Sequence, residues 1–171
     1  VRKIVFQDDN ISTDIKRWLG IIKYLGEQKI KWKAEIRADF PFTKEIIKYM
    51  EDNGAEIIFI GAESGSQRIL DLIRKDIKVS DILKFAELLQ ETNIIGRFSW
   101  IVGFPTETRE EMLQTIKLIK QIKKILPNSL HFVKVYTPYP GSELYNIAVE
   151  KGFKQPQNLL GWADFTRENI K

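Results

Sequence analysis

Five short β-rich apolar runs, separated by stretches of helical periodicity, constrain this chain more than any other feature. The first, Val1 to Gln7 (VRKIVFQ), ends at Asp8-Asp9-Asn10, a cluster of turn residues. Residues 31–37 (KWKAEIR) alternate like a strand, with Trp32, Ala34 and Ile36 on one face. Glu56 to Ile60 carries IIFI, which suits a strand buried on both faces. Gly96 to Val102 (GRFSWIV) and Leu130 to Tyr136 (LHFVKVY) complete the set. The runs end near residues 7, 37, 60, 102 and 136, at intervals of 30, 23, 42 and 34 residues. Each interval holds one helical segment, and the longest holds two. That is the βαβ rhythm of a parallel sheet. The fold expected is α/β: a partial TIM-like (βα) barrel of about five parallel strands in chain order, with helices on the outer face. A closed eight-stranded barrel needs about 250 residues, and this chain has 171.

Local signals mark where the helices start and stop. Ser12 or Thr13 is placed to cap a helix carrying Ile15, Trp18, Leu19, Ile22 and Leu25. Thr43 opens the next, and Gly54 is placed to end it. Gly61 to Ser66 (GAESGS) reads as a small-residue turn, and Ser80 as a further cap. Thr108 and Glu111 form a capping-box pattern before a long helix that Pro127 ends. Tyr139-Pro140-Gly141 turns the chain into a short helix. The expected division is a core over residues 1–152 and a tail or linker over 153–171.

Composition removes whole classes of function. Zero cysteine excludes disulfides, thiolate catalysis and any cysteine-ligated zinc or iron–sulfur site on this chain. One histidine excludes a histidine-rich metal site. No run approaches 18 apolar residues, so no spanning helix is expected, and no signal segment follows the basic start. The expected location is cytoplasmic. The net charge of +4 comes mostly from lysines along helical faces such as Lys117, Lys120, Lys123 and Lys124. These read as a solvated face, and no nucleic-acid partner is expected. Val1 is not methionine and already sits in a strand, so the chain is expected to begin partway into a larger protein.

In a parallel sheet all strands end on one rim, where active sites gather. This chain places Asp8, Asp9 and Asn10 after the first strand, Arg37 and Asp39 after the second, and Glu63 with Ser64 after the third. Gly103 follows the fourth, and Thr137 with Tyr139 the fifth. Each piece also has a structural reading. Asp8-Asp9-Asn10 can cap a helix, Arg37 can pair with Asp39, and Glu63 can complement a helix terminus. GAESGS lacks the Gly-Lys-Ser/Thr ending of a phosphate loop. His131 and the four tryptophans read as packing residues. Taken together, the rim offers an acidic turn for an ammonium, Arg37 for a carboxylate and Glu63 for a diol. Chemistry alone does not choose the ligand.

The motifs in order carry more. IVFQDDN at 4–10, WKAEIRAD at 32–39, EIIFIGAESGSQRIL at 56–70, SWIVGFPTET at 99–108 and VYTPYPGSELY at 135–145 resemble the radical SAM superfamily. The match runs from the second to the sixth strand of its partial (βα)6 barrel, over about residues 1–165. The order and spacing are similar to the branch often preceded by a cobalamin-binding domain, including the anaerobic magnesium-protoporphyrin ester cyclase type. The resemblance implies reductive cleavage of S-adenosylmethionine to a 5′-deoxyadenosyl radical, driven by a 4Fe–4S cluster. It implies that Asp8, Asp9 and Asn10 meet the methionine amino group. Arg37, paired with Glu35, would meet the carboxylate, and Glu63 with Ser64 the ribose. Ile101 and Gly103 would flank adenine, and Tyr136 and Thr137 would offer it backbone contacts. Cobalamin would sit on a separate domain, and the substrate would be a small molecule.

One departure stands out: the family's CxxxCxxC loop, which holds the cluster, is absent, as is a strand before Val1 to carry it. This chain alone is expected to be inactive, as a piece of a longer enzyme or a cysteine-free remnant. Two other classes stand beside it: a magnesium-dependent barrel enzyme using Asp8, Asp9 and Glu63, and a non-catalytic binding or interaction module. With the first barrel strand missing, Val1 to Gln7 is expected at a bare sheet edge, inviting self-association.

Overall fold

A computed structural model describes residues 2–163. Its five strands are β1 (Lys3–Val5), β2 (Lys31–Ile36), β3 (Ala55–Glu63), β4 (Ile95–Val102) and β5 (Leu130–Val135). They form one sheet in the order β1-β2-β3-β4-β5, and every neighbouring pair is parallel. The sheet is open, with β1 and β5 at its edges, as the strand rhythm predicts. Each strand is short and rich in β-branched or aromatic residues, and each crossover carries helix.

The caps differ in detail from the sequence reading. A 3₁₀ turn, Ile11–Asp14, precedes α1 (Ile15–Glu27). Asn10 caps the turn, and Asp14 caps α1 by accepting the Arg17 amide at 3.0 Å. Ser12 and Thr13 therefore lie inside the turn, and the Ser12 hydroxyl donates to Asn10 at 2.6 Å. Asparagine, aspartate and serine are comparable caps, so position in the packed turn and not residue type decides between them. Thr43 caps α2 (Lys44–Asp52) as expected, and Gly54 follows it at φ 97°. Ser66 caps α3 (Gln67–Leu72). α4 (Val79–Leu89) starts before Ser80, because the Asp81 carboxylate accepts the Lys78 amide at 2.8 Å. The capping box of Thr108 and Glu111 opens α5 (Arg109–Ile125). α6 (Glu143–Glu150) and α7 (Leu159–Ala163) follow. The expected tail is structured up to residue 163: Phe153 and Trp162 pack their rings 6.1 and 6.3 Å from Tyr145. Residues 164–171 of that segment lie outside the described residues.

Period-two alternation sends one set of side chains to the helices. Trp32, Ala34, Ile36, Ile58, Ile60, Phe98 and Trp100 are fully buried there. They meet Trp18 and Ile22 of α1, Met50 of α2, Phe85 of α4 and Ile122 of α5. Burying an aliphatic or aromatic side chain of this size contributes about 1.5–3 kcal/mol, so this layer holds the helices on the sheet. The opposite face carries Glu35, Phe59, Arg97, Ser99, Phe132 and Lys134, which line one cavity. β3 is thus buried fully on one face only: Ile57 and Phe59 are half-buried, which corrects the expectation drawn from IIFI. The edge strand β5 leaves Val133 and Val135 more than half exposed.

Candidate functional site

The third strand overruns its predicted end. β3 continues through Gly61 and Ala62 to Glu63, with its register against β4 shifting between Gly61 and Glu63. Glu63 adopts a left-handed backbone, φ 58°, which is uncommon for a residue with a Cβ. Gly61 makes room for the consequence. A Cβ there would lie 2.5 Å from Glu63 Oε1 and 2.6 Å from Lys75 Nζ. The Glu63 carboxylate folds back over this glycine and pairs with Lys75 at 3.1 Å.

Ser64, Gly65 and Ser66 then turn away from the rim and dock on α5. Ser64 is fully buried, and its hydroxyl lies 3.3 Å from Thr115 Oγ1 and accepts the Ser66 amide at 3.1 Å. The Gly65 amide donates to Thr115 Oγ1 at 2.8 Å, and the Ser66 hydroxyl to Glu111 at 3.0 Å. Glu111 also receives two nitrogens of Arg68, at 2.7 and 2.6 Å. That guanidinium is the main reason its carboxyl is held down to about 2. Glu63 is therefore the rim residue of its pair, while Ser64 belongs to the scaffold beneath.

Arg37 sits beside the same rim but is already engaged. Its guanidinium forks onto Asp39 at 3.0 and 2.9 Å and donates to the Lys75 carbonyl at 2.8 Å. Hydrogen bonding to Asp39 raises its affinity for the proton. This ties the end of β2 to the loop that presents Lys75, whose neighbours Arg74 and Asp76 have φ 51° and 56°. Glu35 faces the cavity of about 290 Å3, and burial pushes its carboxyl upward; Glu63 and Asp9 add to the rise, while Lys75 and Lys134 oppose it.

The remaining candidates divide. Asp8 and Asp9 are exposed, and Asn10 is occupied in capping. Ile101 stands opposite Lys134 across β4 and β5. Gly103 has φ 81°, and its amide donates to Glu107, which also receives the Phe104 amide at 3.3 Å. The Tyr136 amide already donates to Val102 at 2.8 Å, extending the ladder, and its ring packs 5.2 Å from Phe104. Thr137 is half-buried just beyond. Among the described residues, Asp8, Asp9 and Glu63 do not gather into a group of three metal ligands. His131 is a packing residue as read: Trp100 donates to its Nδ1 at 3.0 Å, and Ser129 Oγ lies 2.9 Å from its Nε2.

Sequence reasoning missed Lys75, Glu107, Arg97 and Lys134. The last two alternate with apolar residues inside strands, in phase with Ser99 and Phe132, so period two marks them as open-face residues. Lys75 lies in the longest interval and carries no local signal.

A parallel sheet with helices on one face and its charges at the strand C-termini defines a (βα)-barrel-type protein. The profile of the radical SAM superfamily matches residues 1–119, and the chain belongs to that superfamily. It is 30% identical over 168 residues to an uncharacterized methyltransferase of Pyrococcus horikoshii, covering 97% of this chain and 35% of that protein. It is 30% identical over 118 residues to the anaerobic magnesium-protoporphyrin IX monomethyl ester cyclase of Cereibacter sphaeroides, covering 68% of this chain and 19% of the cyclase. The chain thus spans about a third or less of these relatives. The fold is similar to that of the radical S-adenosylmethionine methyltransferase TsrM from Kitasatospora setae, solved with cobalamin and a [4Fe-4S] cluster bound. The TM-score is 0.67 at 11% identity, covering 79% of this chain and 28% of TsrM. Among the described residues no helix is long and apolar enough to cross a membrane.

Proposed function

We propose that this chain is the S-adenosylmethionine-facing part of a radical SAM enzyme's core, over residues 1–152, acting on a small molecule. The observation that carries the reading is Glu63. A buried-side carboxylate is held at a parallel-strand C-terminus by a left-handed backbone, above a glycine that yields it space. Strain of this kind persists where surrounding structure over-determines it. The cluster does not fit these residues, because the chain has no cysteine to hold iron; its ligands belong to another part of the enzyme. S-adenosylmethionine does fit. When bound in the whole enzyme, it supplies the 5′-deoxyadenosyl radical.

The chain's own residues would bind and orient it. Glu63 accepts the ribose hydroxyls, exchanging Lys75 for them. The exposed Asp8 and Asp9 face the ammonium. Arg37 meets the carboxylate by exchanging Asp39 for it. Ile101, Gly103, Tyr136 and Thr137 form the adenine side, where the Glu107 carboxylate holds the Gly103 turn in place.

The test is a titration of the isotope-labelled 171-residue chain with S-adenosylmethionine, followed by NMR. Without the cluster, a few hydrogen bonds worth about 0.5–1.5 kcal/mol each leave binding on the order of millimolar. Shifts are expected at Glu63, Ile101, Gly103 and Tyr136, and they should be lost in Glu63→Ala. Shifts confined to other faces of the sheet would sink the reading.

A further inference from the structure

The cavity of about 290 Å3 lies on the open face of β2 to β5, and its charges are not arranged for adenosylmethionine alone. Arg97 projects from β4 into it. Its guanidinium carbon lies 4.9 Å from the centre of the Phe59 ring and 4.1 Å from that of Phe132. Aromatic rings attract a guanidinium and cover its faces, which leaves its in-plane N–H groups to donate. Among the described residues no carboxylate pairs with it. Ser99 follows two positions along the same strand, and Lys134 stands on β5 close enough to act on Glu35. Arg97 and Lys134 outnumber the single acid of the cavity wall, Glu35, by one charge.

We propose that this cavity is a subsite for a small organic carboxylate, and that Arg97 is the residue that selects it. The inference rests on the enzyme reading only in taking that carboxylate for the substrate. A planar donor fork held between two neighbouring rings matches a planar, bidentate acceptor. Lys134 adds a second cation, Ser99 a hydroxyl, and the Phe59 and Phe132 rings an apolar wall for the carbon skeleton. The one-charge surplus suits a monoanion. Glu35, level with Phe59 and Arg97 in the sheet register, penalises a second negative group.

The experiment titrates the 171-residue chain with phenylacetate, its amide phenylacetamide and its amine analogue phenethylamine, following the Arg97 Nε–H resonance. Phenylacetate is expected to shift that resonance and bind at least tenfold tighter than either analogue. Arg97→Gln and Lys134→Gln should each weaken phenylacetate at least fivefold. A purely structural Arg97 would not separate an acid from its amide. If Arg97→Gln fails to fold, Arg97→Lys and the exposed Lys134→Gln carry the comparison. Equal affinity for acid and amide, preference for the amine, or unchanged affinity in the variants would overturn the proposal. The S-adenosylmethionine titration fails separately: its loss, with phenylacetate still bound, would remove the enzyme reading and leave the carboxylate site.

Discussion

Gly65→Ala is the sharpest test of how the rim is held. The new Cβ would lie 2.6 Å from the Gln114 carbonyl oxygen, 2.6 Å from Thr115 Cα and 2.8 Å from the Gln114 carbonyl carbon. All three are backbone atoms inside α5, so no side chain can swing away. Ordinary contact starts near 3.4 Å, so loop and helix must part by about 0.8 Å, the kind of overpacking that costs roughly 1–3 kcal/mol. The parting also stretches the hydrogen bond from the Gly65 amide to Thr115 beyond useful length and loosens that from Ser66 to Glu111. Each adds about 0.5–1.5 kcal/mol. The expected total is about 2–6 kcal/mol, or a Tm lower by roughly 4–24 °C for a chain of this size. Urea unfolding followed by circular dichroism measures it. Gly20→Ala is the control: that glycine lies within α1 with nothing within 4 Å of its missing Cβ. It should stabilise by about 0.5–1 kcal/mol. A Gly65→Ala protein within about 0.5 kcal/mol of wild type would refute the argument that backbone contact fixes this loop.

The other outcomes concern buried polar groups. Burial holds the His131 imidazole down to about 4, with the Lys123 charge adding to the effect. The unfolded chain, titrating near 6.5, then binds more protons in between, so stability is complete above about pH 6.5 and falls as pH drops toward 4. Discounted for a half-buried ring, the loss is about 1–2 kcal/mol, and His131→Leu should flatten that slope in urea melts taken across the range. Glu111→Ala removes the acceptor for Ser66, Thr108 and Arg68 at a site only 8% exposed. It should cost about 2–4 kcal/mol, whereas Arg68→Ala, on a half-exposed side chain, should cost more than about 1 kcal/mol only if the pair acts as a buried network; calorimetric Tm values of the two decide this.

Much of the fold was legible because its signals are periodic. Alternation in KWKAEIR named the buried face of β2, and the Thr108 to Glu111 spacing named the start of α5. The 3₁₀ turn before α1 was hidden because Asn10, Ser12, Thr13 and Asp14 are all plausible caps, and only tertiary packing ranks them. GAESGS misled for a physical reason. Small residues mark turns, yet here Gly61 keeps the strand going by making room for a folded-back glutamate. At the rim, the order of motifs located Glu63 and Arg37. That Arg37 is clamped by Asp39 and the Lys75 carbonyl depends on a loop nearly forty residues away along the chain. No local pattern encodes such a partner.

The placement of the tryptophans has an optical consequence. Trp18 and Trp32 meet edge to face at 5.8 Å beneath the β1–β2 side of the sheet. Trp100 lies under the β4 side, its ring nearly parallel to that of His131 at 6.0 Å and hydrogen-bonded to it. The first pair emits from a dry aromatic cluster. The third emits beside an imidazole that quenches once it takes up a proton. Of these three rings, only Trp100 is therefore expected to dim in acid, while Trp18 and Trp32 are not. A chain that lets go of its β5 side first would lose the acid-sensitive part of its emission while the other part stayed blue. A sheet that melts as one body would lose both together.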